Sequence, residues 1–118
     1  MNSLEDLTND SKYLLASMYK LYIEKRKNGL SKDEATNFND SGYLHKEVMP
    51  RWSIEDVIYS CRELKKCEFL TYTFYGENHL ILITMTPRAI SLMESQFKDK
   101  VDSVIDYVAK IKGLIPFI

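Results

Sequence analysis

Apolar and polar positions alternate along the chain with two periods. From about Ser11 to Asn28 the spacing of Leu14, Met18, Leu21, Tyr22 and Lys25 is helical. Asn9 or Asp10 can cap the start, and Gly29 stands where a left-handed C-terminal cap belongs. Lys25, Arg26 and Lys27 crowd the last turn, the negative end of the helix dipole. A short second helix opens at Ser31, which with Glu34 spells a capping box, and stops near Phe38 before the turn-forming Asn39-Asp40-Ser41-Gly42. Tyr43 to Met49 can add a further helical turn or two, closed by Pro50. Another helix starts near Ser53, with Asp56 as the capping partner. Its apolar stripe is Ile54, Val57, Ile58, Cys61 and Leu64, and Glu55, Tyr59, Arg62, Glu63 and Lys66 lie opposite.

After Leu64 the period falls to two. Phe69 to Tyr75 is β-branched and aromatic, with Leu70, Tyr72 and Phe74 alternating against Thr71 and Thr73. Gly76-Glu77-Asn78 supplies a turn, and His79 to Met85 returns, so a β-hairpin is predicted. Thr86 as N-cap and Pro87 at the first helical position open a last helix expected over 87–112. Within it Phe97, Val101, Val104, Val108 and Ile111 recur in steps of four and three, a heptad seam. That seam suits either pairing with a second copy or packing on the first helix. The apolar tail, residues 113–118, needs a groove in its own domain or in a neighbour.

The chain has 118 residues, enough for one core and one domain, 1–118, with the first ten residues read as flexible. Hydrophobic residues make up 45% and charged residues 28%, which is globular usage rather than disordered. Sixteen Lys and Arg against seventeen Asp and Glu give a net charge of -1, unlike a strongly basic nucleic-acid binder. The opening residues are polar and acidic, without the basic start and apolar run of an export signal, and no apolar run is long enough to span a bilayer. A cytoplasmic protein with reduced thiols is expected.

The order of elements is helix, short helix, helix, β-hairpin, helix, and the junctions carry a resemblance. Leu64-Lys65-Lys66-Cys67-Glu68-Phe69-Leu70 is similar to the step by which winged helices leave their third helix and enter the wing. Ile83-Thr84-Met85-Thr86-Pro87-Arg88-Ala89-Ile90 resembles the step from wing to C-terminal helix, with Arg88 and Ala89 where the family often has Gly. The layout is similar to that of the small YjcQ-like winged-helix proteins of Gram-positive bacteria and their phages. The resemblance implies an α+β winged helix-turn-helix with a three-helix core, a hairpin wing and a long C-terminal helix. It implies a transcriptional regulator that binds double-stranded DNA, with Ser53 to Cys67 as the recognition helix in the major groove. The residues it singles out are Lys46, Arg51, Trp52, Ser53, Tyr59, Arg62 and Lys66, together with Tyr75, Gly76, Asn78 and His79 of the wing.

Charge argues the other way. Between His45 and Glu68 five cations are matched by five anions, and Glu55 and Asp56 stand at the helix start, where they repel phosphate. The wing tip holds Glu77 and His79 and neither Lys nor Arg. Scattered Lys and Arg serve solubility as readily as binding, and Trp52 suits a core as well as a sugar. The competing reading is a protein-interaction module that uses Tyr72, Phe74 and Tyr75. Metal and cofactor sites are not expected. His45, His79, Cys61 and Cys67 are the only soft ligands and lack metal-binding spacing. Cys61 falls on the apolar stripe, whereas Cys67 is placed at an exposed helix end. No enzymatic activity is expected: no phosphate loop, nucleophile elbow or metalloprotease motif is present, and a Cys67–His79 nucleophile pair is the one conceivable catalytic arrangement.

Overall fold

The computed structural model describes residues 3–98 and 100–117. Among them six α-helices and one antiparallel hairpin form an α+β fold: α1 (Asn9–Lys27), α2 (Lys32–Thr36), α3 (Ser41–Glu47), α4 (Ile54–Lys66), β1 (Leu70–Phe74), β2 (Leu80–Met85), α5 (Pro87–Phe97) and α6 (Val101–Lys112). The sequence read as flexible before α1 instead contains a 3-10 turn, Leu4–Asp6, with Leu4 and Leu7 buried in the core. Thr8, rather than Asn9 or Asp10, caps α1 by accepting the Ser11 N–H. Thr8 wins because its hydroxyl also reaches α4, as described below. Where these expectations and those for 87–112 and 113–118 fall on residues 1, 2, 99 and 118, they lie outside the described residues.

Several predicted caps form as spelled. The Ser31–Glu34 capping box closes in both directions, Ser53 accepts the Asp56 N–H at the start of α4, and Thr86 accepts the Ala89 N–H ahead of α5. Asp40 caps α3 through the Tyr43 N–H, so the helical turns expected at Tyr43 begin at Ser41.

The hairpin departs from simple alternation. Leu70 pairs with Met85 and Thr71 with Thr84, but Thr73 pairs with Ile81, which leaves one extra residue on β2. Leu82 absorbs it with φ of 55°, and this bulge turns Leu80 and Ile83, three apart, both into the core. The outer edge of β2 is also occupied. Phe38 N–H donates to the Ile83 carbonyl at 2.8 Å and Ile83 N–H to the Asn39 carbonyl at 2.9 Å, with Asn37 bridging Thr84. The α2–α3 link therefore adds a short third rung to the sheet.

The long C-terminal helix is a correction. It breaks after Phe97, where Lys98 takes a left-handed conformation with φ of 51°. The break has a packing cause. It lets α6 fold back along α1, its main neighbour, and lay Val104 and Ile111 in the core. A straight helix would carry that apolar stripe into solvent. The seam offered for dimerisation is thus spent inside the chain, with Phe97 also buried and Val101 and Val108 partly buried against the core. The tail docks on its own domain in part, with Leu114 and Phe117 still 55% exposed. Ile115 is buried, and the Phe117 ring meets Trp52 edge-on with centroids 5.6 Å apart.

Candidate nucleic-acid interface on the fourth helix

Helix α4 buries Val57, Ile58, Cys61 and Leu64 and turns the opposite face outward. On that face Glu55, Tyr59, Arg62 and Lys66 follow one another at intervals of four and three, so they form one stripe. Tyr59 is 68% exposed, a large aromatic with no ring partner among the described residues. Thr8, Tyr59, Arg62, Glu63 and Lys66 line a shallow cleft of about 390 Å³ beside the stripe.

Glu63 would oppose a phosphate, but its carboxylate is committed elsewhere. One oxygen accepts the Thr8 N–H at 3.0 Å. The other accepts the hydroxyls of Thr8 and buried Ser11, both at 2.7 Å. Partial burial pushes its pKa up, yet the hydrogen bonds from Ser11 and Thr8 outweigh this and hold it below the usual carboxylate range. Sequence reasoning left Glu63 on a solvent face. The clue available was Thr8 and Ser11 one turn apart, two hydroxyls that could share one acceptor.

The other candidates lie outside α4. Ser53 is exposed as the α4 cap, Lys46 is exposed in the last turn of α3, and Arg51 is exposed in the turn between the helices. Trp52 is a correction. It is only 4% exposed, with its ring 5.0 Å from that of Tyr13, and it offers no surface to a sugar. Its carbonyl lies 2.7 Å from His45 Nε2, and its own Nε1 is buried without a hydrogen-bond partner.

The wing residues lie at the far end of the hairpin, tied to α3. His79 Nε2 is 3.6 Å from Asp40, and Leu80 N–H donates to the buried Ser41 hydroxyl at 3.1 Å. Gly76 supplies the turn with φ of 76°, and Tyr75 and Asn78 are exposed beside it. Lys65 bridges helix and hairpin. Its ammonium lies 4.4 Å from the Tyr72 ring centroid and 5.9 Å from that of Phe74, a contact that sequence spacing could not reveal. Tyr72 is buried, so the aromatic set proposed for the wing surface shrinks to Phe74 and Tyr75.

The Cys67–His79 pair does not assemble. Cys67 caps α4 at the base of the hairpin, where its carbonyl accepts Arg88 Nε at 3.2 Å, and His79 sits at the tip. Cys67 is buried rather than exposed, and burial, followed by the Glu63 charge, raises its pKa. Burial pushes the Cys61 thiol up to about 12, in keeping with a small apolar side chain. No helix among the described residues is long and apolar enough to cross a membrane. The chain matches no family model, no curated protein and no solved structure.

Proposed function

We propose that this chain is a winged helix-turn-helix protein of the YjcQ-like kind, and that it binds double-stranded DNA as a cytoplasmic transcriptional regulator. In this reading α3 and α4 are the helix-turn-helix, the hairpin is the wing, and the rung at Phe38–Asn39 is the short strand joining the wing to the helices. The observation that carries the reading is the uncovered face of α4. It presents Tyr59, Arg62 and Lys66 together, while the intervening carboxylate of Glu63 is held by Thr8 and Ser11.

Each residue then has a role. Arg62 and Lys66 neutralise phosphates, and Tyr59 reaches the groove with its ring or hydroxyl. Arg51 and Lys46, from the turn and the preceding helix, meet the flanking backbone. The acidic start of α4, Glu55 and Asp56, holds the N-terminal turn away from the duplex, so contact is carried by the later turns. The tip contributes Tyr75 and Asn78 and little charge.

Anisotropy of a labelled random duplex across a salt series tests this. Affinity should fall steeply with salt, and replacing both Arg62 and Lys66 by Ala should reduce the log–log slope by about 2. Absence of binding at low salt, or a flat salt response, overturns the reading.

One observation favours the alternative, a protein-interaction module. Phe74 and Tyr75 on the hairpin are 52% and 69% exposed, a pair of large aromatic side chains open to solvent. Replacing both with Ser would abolish capture of a protein partner and leave duplex affinity unchanged. Loss of duplex affinity in that variant would instead assign these rings to DNA.

A further inference from the structure

A further concavity lies away from α4. Two clefts of about 450 and 300 Å³ share Tyr22, Lys32 and Glu94 as common walls, so they form one bent groove between α1, α2 and α5. The larger arm is floored by Tyr22, Met85 and Ile90, all buried in the core, with Pro87 at its edge. The smaller arm is walled by Arg26 and Lys27. None of the residues lining either arm belongs to α4.

Charges at the bend are unmatched. Among the described residues neither Lys32 nor Glu94 forms an ion pair with another side chain, although both border the same space. Arg26 is partly engaged, donating to the Leu30 carbonyl at 3.1 Å, which fixes the guanidinium beside the groove. A simple organic anion would suit Arg26, Lys27 and Lys32 but would meet Glu94 at the bend and Asp33 in the larger arm. A cation would meet the reverse conflict. A group bearing both charges a few ångströms apart answers both.

We propose that this groove binds a free α-amino acid with a large apolar side chain. Its carboxylate faces Lys32 and the cations of the smaller arm, its ammonium faces Glu94, and its side chain lies over Tyr22, Met85 and Ile90. The volumes fall in the range of small-molecule pockets, and Lys32 and Glu94 border both arms, while Asp33, Thr36, Thr84 and Ser91 rim the apolar floor of the larger one. The inference stands apart from DNA binding, because it uses other residues and another face.

The test is a titration of the ¹⁵N-labelled chain with L-phenylalanine and L-leucine, followed by amide shifts, with N-acetyl-L-phenylalanine and L-phenylalanine amide as single-charge controls. Saturable shifts should appear at Thr84, Met85, Ile90 and Ser91 for the free amino acids and be absent for both controls. Lys32→Gln and Glu94→Gln, both at exposed positions, should each weaken binding about tenfold, the loss of one charged hydrogen bond. Absence of shifts at about 10 mM ligand, beyond the millimolar range of weak binding, overturns the proposal. So do equal shifts with the N-acetyl control, which would mark the groove as an anion site only.

Discussion

Thr8 gives its hydroxyl to Glu63 across 55 positions of sequence, at 2.7 Å, and so fastens the N-cap of α1 to the last turn of α4. The same carboxylate takes the Thr8 N–H and the Ser11 hydroxyl, so three donors converge on one anion. Glu63→Gln keeps the shape and removes the charge, and it should destabilise the fold by about 1 kcal/mol, since the group is partly solvated. The pH dependence has a definite sign. The folded carboxyl titrates below its unfolded value near about 4.3, so its stabilisation is complete above that pH and is lost as pH falls through the folded pKa. Denaturant midpoints measured from pH 7 down to pH 3 should show the wild type and Glu63→Gln converging. A constant gap would remove Glu63 from this role.

Leu82 is held with φ of 55°, where a side chain bearing Cβ is strained by about 1 kcal/mol. Its side chain is 61% exposed, so little packing is lost on removal. Leu82→Gly should therefore match or exceed the wild type in thermal stability, whereas β-branched Leu82→Val should lose more than about 1 kcal/mol. The reverse order in paired melts would argue that the bulge is absent in solution.

Val104 and Ile111 face α1 rather than a second copy. Ile111→Ala should cost about 2–4 kcal/mol at any protein concentration, as a core truncation does. Midpoints of unfolding measured at two concentrations a hundredfold apart decide the matter. Coinciding midpoints fit packing within the chain, and a concentration-dependent loss would restore the seam as an interface.

Trp52 is the only tryptophan, and Phe117 covers one edge of it. Ending the chain at Lys112 removes that cover together with buried Ile115. Indole emission should shift to longer wavelength, and stability should fall by about 2 kcal/mol or more, the transfer value of one buried aliphatic side chain. An unmoved emission maximum would mean that the tail does not rest on Trp52.

What could be read from sequence followed local rules. The capping box at Ser31 and Glu34, the cap at Ser53 and the change of period after Leu64 each depend on neighbours in the chain, and each formed. The missed features depend on distant partners. A left-handed turn at Lys98 carries no Gly to announce it, and the step from Phe97 to Val101 is the same in a continuous helix as in a broken one. Leu4 and Leu7 did leave a trace, an apolar pair three apart in a polar stretch, too short to register as periodic. Of the α4 candidates, Tyr59, Arg62 and Lys66 share a stripe because helical spacing alone decides that. Trp52 went inward because Tyr13 and Phe117, remote in sequence, enclose it.

The bonds from Phe38 and Ile83 have a mechanical implication. A hairpin attached only at its base would pivot like a loose flap. Stitched along its outer edge to the segment ahead of α3, and joined near the tip to Asp40 and Ser41, this one is tied to α3 at both ends of its outer strand. Force applied at Tyr75 is thereby delivered to the helix that precedes α4, making the hairpin a lever on that helix rather than a free arm.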